Sequence, residues 1–220
     1  MRRLFRENGL SIALFGLFIC FQIGLSFVGQ RQYNQEQSDH GQATIGYLDY
    51  VLSDDFMEAT MENWESEFLQ MFAYVFLTTF LYQRGSSESK KLDEPEPVDR
   101  DPRLSSNKDS PWPVRKGGLI LKFYEHSLTL ALLFLFVISF ILHAYAGARK
   151  YSGQELIHGG QGVTGWQYLF TAQFWFESFQ NWQSEFFSIG MMVVLSIFLR
   201  QRGSPESKPV DSAHLDTGNT

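Results

Sequence analysis

Asn63-Trp64-Glu65-Ser66-Glu67-Phe68 returns as Asn181-Trp182-Gln183-Ser184-Glu185-Phe186, 118 positions later. On a helix, residues three and four apart share a face, so Asn63, Ser66 and Glu67 line one side, and Asn181, Ser184 and Glu185 repeat it. Each word runs into an apolar block, which sets its last glutamate at or just inside the edge of a bilayer. A carboxylate beside hydrocarbon is costly unless it is paired or wetted, so it is a functional candidate by default. Two chemistries fit. In one, Glu67 and Glu185 pair with Arg31 and Arg149, fastening the outer ends of neighbouring helices. In the other, each carboxylate handles a proton or a cation, because embedding favours its protonated form.

Other chemistries find little support. His40 and His158, with Asp39 and Glu155 nearby, invite a metal reading, but they sit on separate loops without local ligand spacing such as HExxH. Loop histidines followed by a turn glycine are the simpler interpretation, and no metal is assigned. His143 lies within an apolar run, where a helix-packing polar residue is expected. There is no P-loop, GxGxxG, GxSxG or CxxC. The single Cys20 has no nucleophile context, and one cysteine cannot form an internal disulfide. The expectation is therefore a protein that is not an enzyme, with no catalytic residues and no cofactor.

The elements that must hold the repeated word are helices. Mean hydropathy just below zero suggests a soluble chain, but the apolar residues are gathered into blocks. Residues 9–29 and 127–147 each carry no charge over their length. About 20 apolar residues cross a bilayer core, so both segments read as transmembrane helices. The blocks at 68–82 and 186–199 are too short alone. Extended back through the word, they become spans of about 64–82 and about 182–200, with Trp64 and Trp182 as anchors at the membrane–water interface. The competing readings are a cleaved signal peptide at the N-terminus and buried core helices in a soluble protein. The N-terminal apolar run is long for a signal peptide, and it has a counterpart at 123–149.

That counterpart belongs to a larger repeat. At the fixed offset of 118, residues 63–90 and 181–208 agree at 16 of 28 positions, and residues 5–90 and 123–208 at 31 of 86. Tandem copies predict an all-α fold of four transmembrane helices, built as two parallel-oriented helical hairpins. The hairpins occupy residues 1–90 and 118–208. A charged, proline-rich linker at 91–117 and a tail at 209–220 both read as disordered. Of the 18 lysines and arginines, only Arg31, Arg149 and Lys150 fall in the two loops opposite the termini. This places both termini and the linker in the cytoplasm.

Each second span ends in Gln-Arg-Gly-Ser, at 83–86 and 201–204. There glycine supplies a left-handed residue beyond the helix, and arginine faces the headgroups. Residues 164–180 read as an aromatic amphipathic helix at headgroup depth. Gly16, Cys20 and Gly24 form a weak small-residue row on the first span. The duplicated NWxSEF…QRGS pattern, with its His-Gly dipeptides and long spans, resembles a family of uncharacterised small bacterial integral-membrane proteins. That resemblance implies a bacterial inner-membrane location and no mechanism. The functional expectation is a non-enzymatic membrane scaffold or accessory protein. Its alternative is a small oligomeric transporter or channel using Glu67 and Glu185. The expected partners are the lipid bilayer and, in a homo-oligomer, further copies of the chain. With a net charge of −6 and no basic face, nucleic acid is not expected.

Overall fold

A computed structural model describes residues 2–105, 107–157 and 159–218. Among these residues every regular element is helical: α1 (Arg2–Asp39), α2 (Tyr47–Val51), α3 (Asp54–Leu77), α4 (Trp112–Lys116), α5 (Gly118–Glu125), α6 (Ser127–Ile157), α7 (Gly165–Tyr168) and α8 (Ala172–Phe198), with short 3-10 turns at Pro97–Asp99 and Pro102–Leu104. By chain contacts the residues form two units. One comprises 1–61 with 142–170, the other 62–141 with 171–220.

Positions 118 apart carry the same local geometry. Helix α2 starts at Tyr47 and α7 at Gly165; α3 starts at Asp54 and α8 at Ala172. Ser53 Oγ accepts the Phe56 N–H at 3.3 Å, and Thr171 Oγ1 accepts the Phe174 N–H at 3.3 Å. Both are N-caps that satisfy a backbone donor the helix cannot satisfy itself. Before each short helix, the long one is tied to the following loop. Asn34 Oδ1 accepts the Ile45 N–H, and Ser152 Oγ accepts the Val163 N–H, both at 2.8 Å.

The tightest packing also recurs. A Cβ on Gly29 would lie 2.2 Å from Tyr50 Oη, and one on Gly147 would lie 2.5 Å from Tyr168 Cε1. Each tyrosine ring also meets a second ring one turn further along: Tyr33 with Tyr50 at 5.8 Å and Tyr151 with Tyr168 at 5.6 Å between centroids. Glycine is required at both sites because the tyrosine fills the space of a side chain. Both clusters lie in the first unit.

Among the described residues two helices are long and apolar enough to cross a membrane, Arg3–Asp39 and Ser127–Leu156. At about 1.5 Å per residue, α3 and α8 are also long enough, but the repeated word and the acidic first turns of α3 make them more polar. The expected second span ran to about residue 82, whereas α3 ends at Leu77. Thr78 and Thr79 turn their hydroxyls back onto the carbonyls of Val75 and Phe76, competing with continuation of the helix.

Solvent exposure is inverted relative to a water-soluble domain. Leu10, Phe15, Phe21 and Val28 on α1 are all at least 65 % exposed, while Glu58, Glu65, Ser66, Ser86, His143 and Lys208 are buried. The apolar window of α1 is only 6 % buried. Gly16 and Gly24 have nothing within 4 Å of a built Cβ, and Cys20 is exposed, so the small-residue row faces outward. In the second unit, residues 209–218 fold back onto the helix ends and the first Gln-Arg-Gly-Ser turn.

Candidate functional site

Helix α3 carries acids at 54, 58, 62 and 65, spaced four, four and three, which is one helical face. Each is bonded within its own unit. In the first unit, Asp54 accepts Arg149 Nε at 2.7 Å, and Glu58 accepts Lys150 Nζ at 2.9 Å. Arg149 also donates to Tyr145 Oη at 3.0 Å and lies over that ring. In the second unit, Asn181 donates to Glu62 Oε1 at 2.5 Å, and the Trp182 indole N–H donates to Glu65 Oε1 at 2.9 Å.

The environments of these contacts differ. The Glu58 side chain is 3 % exposed, while Asp54 and Arg149 are 31 % and 59 % exposed. A buried pair is costly to break because the remaining charge is left in low dielectric. An exposed pair contributes about 0–1 kcal/mol. Around the first two contacts is a cleft of about 470 Å³, lined by Tyr33, Glu36, His40, Asp55 and Glu155 among others. Burial raises the pKa of Asp55 above the ordinary carboxylate value, against the opposing field of Lys150. His40 is exposed, with Nδ1 at 2.8 Å from the Glu36 carbonyl. His158 lies outside the described residues.

The residues singled out by the sequence occupy distinct places. Ser66 is buried and donates to the Asn63 carbonyl at 2.8 Å; Ser184 repeats this with Asn181 at 2.8 Å. Asn63 and Glu67 are exposed. Glu185 is half-buried, and its carbonyl accepts Gln70 Nε2 at 2.7 Å. Glu67 and Glu185 belong to one unit and lie within electrostatic reach of each other. Arg31 is exposed; Arg149, which the sequence had paired with Glu185, has Asp54 as its ion partner. Trp64 stacks edge-on with Phe68 at 6.3 Å. Trp182, expected as an interface anchor, also serves as a hydrogen-bond donor to a fully buried carboxylate.

Sequence reasoning missed Glu65, Glu58, Asp54 and Lys150 as the groups that make the contacts. A signal for three of them was present. The four-four-three acid spacing on α3 was legible once Ser53 is taken as an N-cap. Glu65 is also the one letter at which the two words differ, since Gln183 replaces it. At the positions 118 further along stand Ala172, Phe176, Gln180 and Gln183, so the acidic face does not recur there.

The family described as a domain of unknown function, DUF6766, matches residues 1–219. The chain belongs to that family. No curated protein and no solved structure matches it. The family brings no activity, so the functional argument rests on the arrangement of these residues.

Proposed function

We propose that this DUF6766 chain is a multi-pass membrane protein that acts as a non-enzymatic scaffold or accessory component. The carrying observation is the inverted distribution of polarity: apolar side chains exposed along α1 and α6, with carboxylates drawn inside onto basic or hydrogen-bonding partners. An exposed apolar surface of this extent needs lipid or protein to cover it. In hydrocarbon, polar groups are tolerated where they are bonded inside the protein.

The proposed architecture is four crossings from two tandem hairpins. It has both termini and the linker in the cytoplasm of a bacterial cell and the bilayer as principal partner. The recurring caps, loop ties and glycine–tyrosine contacts at an offset of 118 support two copies of one hairpin. The scaffold reading is favoured over an enzyme because all four acids on the α3 face are engaged in structural contacts. The outward Gly16–Cys20–Gly24 row supports association between copies. Purification and reconstitution test the reading. The protein should stay with the membrane through high-salt and alkaline washes, and release by either wash would contradict it.

A second reading rests on a separate observation. Glu67 and Glu185 sit in one unit, like charges in each other's field, which suits a site for a proton or cation in an oligomeric transporter or channel. Proteoliposome flux that is lost in Glu67→Gln and Glu185→Gln would favour it; absence of flux in the wild type would remove it.

A further inference from the structure

The two Gln-Arg-Gly-Ser turns have the same backbone but different surroundings. In the first, Gln83 N–H donates to Ser89 Oγ at 2.9 Å, Ser86 N–H to the Gln83 carbonyl at 3.2 Å, and Glu88 N–H to Ser86 Oγ at 3.1 Å. In the second, Gln201 N–H donates to Ser207 Oγ at 2.9 Å, Ser204 N–H to the Gln201 carbonyl at 3.2 Å, and Glu206 N–H to Ser204 Oγ at 3.2 Å. Gly85 and Gly203 have φ of 84° and 86°. Both belong to the second unit.

The first turn is covered by the segment after Lys208. Gly85 N–H donates to Thr217 Oγ1 at 2.9 Å, and Gly218 N–H donates to the Ser86 carbonyl at 3.0 Å. A Cβ on Gly85 would lie 2.5 Å from the His214 carbonyl oxygen, so the approach is as close as glycine permits. The segment is held in this shape by Lys208, which is 1 % exposed and donates to the carbonyls of Ala213, His214 and Asp216 at 3.2, 2.9 and 2.8 Å. His214 Nδ1 lies 3.2 Å from the Ile197 carbonyl, and its ring meets Phe198 at 5.7 Å.

The second turn offers the same groups uncovered. A Cβ on Gly203 would meet nothing within 4 Å, and the turn borders an open cleft of about 470 Å³. Among the described residues nothing bonds to the Gly203 N–H or the Ser204 carbonyl, the two groups whose equivalents hold Thr217 and Gly218. A backbone arrangement that binds one extended segment through an N–H and a carbonyl can bind a second of the same chemistry, because those contacts read main chain and one hydroxyl.

The geometry points to the Gly203 turn as a peptide-docking site whose occupant is the 209–218 segment of a second copy of this chain. The hydroxyl of that copy's threonine would accept from Gly203 N–H, and the N–H of its following glycine would donate to the Ser204 carbonyl. A segment that leaves its own Gly85 turn for a neighbour's Gly203 turn exchanges like hydrogen bonds for like, so crowding in a membrane can tip the balance.

The test uses the full chain in detergent and a fluorescent peptide spanning residues 208–218, which carries the lysine that shapes the segment. The expected result is one saturable peptide site per chain. It should be weakened about tenfold or more by valine in place of threonine in the peptide, as expected for loss of one hydrogen bond in a short contact, and by Gly203→Val, whose side chain would occupy the space the segment must approach, as a Cβ would at Gly85. The peptide change leaves the protein untouched, so misfolding cannot imitate it. Excess peptide should also lower the mass of the oligomer measured by light scattering. Absence of saturable binding overturns the proposal, as does binding indifferent to both changes. Binding that Gly203→Val leaves intact but Gly85→Val abolishes overturns it by assigning the peptide to the first turn. Binding at the Gly203 turn without loss of oligomer mass overturns the second copy as occupant.

Discussion

Replacing Trp182 with phenylalanine removes one indole N–H while leaving a ring among Phe136, Trp175 and Phe179, whose centroids lie 6.4, 6.1 and 5.7 Å from the indole. The N–H reaches Glu65 Oε1 at 2.9 Å, and Glu65 is 0 % exposed. A hydrogen bond to a charged group contributes about 1.5–3 kcal/mol. The smaller ring adds a packing loss that does not involve Glu65. A double-mutant cycle with Glu65→Gln separates the two, since the packing loss cancels and the coupling remains. The expected coupling is about 1–2 kcal/mol, below the single-bond range because glutamine still accepts a hydrogen bond. The assay is denaturant unfolding in a mild detergent, followed by far-ultraviolet circular dichroism so that changing a tryptophan does not alter the probe. A coupling within about 0.3 kcal/mol of zero, the scatter expected for independent sites, would refute the argument and leave Trp182 as a headgroup anchor only.

The other expectations concern the first unit. Lys150→Met should destabilise by about 2–4 kcal/mol by leaving Glu58 buried without its ammonium, whereas Arg149→Met should cost under about 1 kcal/mol because its pair with Asp54 is exposed; equal losses would contradict the burial argument. Gly29→Ala should cost about 1–3 kcal/mol by overpacking against Tyr50, and Tyr50→Phe in the same chain should recover part of it by removing the clashing hydroxyl; no recovery would show that the hydroxyl is not the obstacle. For Asp55 the folded-state pKa is raised above the unfolded value, so the native state holds that proton more tightly. Its contribution is therefore largest at acid pH and is lost as pH rises through the folded pKa. Asp55→Asn should flatten that slope in pH-dependent unfolding, and an unchanged profile would exclude Asp55 as its source.

Helical class was legible because the apolar blocks are long and uncharged. The two-fold recurrence of caps, ties and glycine–tyrosine contacts follows equivalent letters in the sequence: Gly29 and Gly147, Tyr50 and Tyr168, Ser53 and Thr171. The partners of the acidic face were not legible, because the stretch between the first two spans read only as a loop opposite the termini, and it hid a helix beginning at Asp54. Emphasis on identical letters also drew attention to Glu67 and Glu185. The buried contact falls instead on Glu65, the one letter at which the two words differ, where the carboxylate accepts the Trp182 indole N–H. The course of residues 209–218 could not be read from composition. A polar segment without periodicity gives no sign that Lys208 will gather three of its carbonyls.

Topology separates the account from its nearest competitor. With Cys20→Ser as background, single cysteines at Ser38, Ser110 and Gln161 can be labelled in intact cells with a membrane-impermeant maleimide. Four crossings predict labelling at positions 38 and 161 from outside, and at position 110 only after the membrane is opened. If only α1 and α6 cross, position 110 would be labelled from outside and position 161 protected, and that result would contradict the two-hairpin architecture.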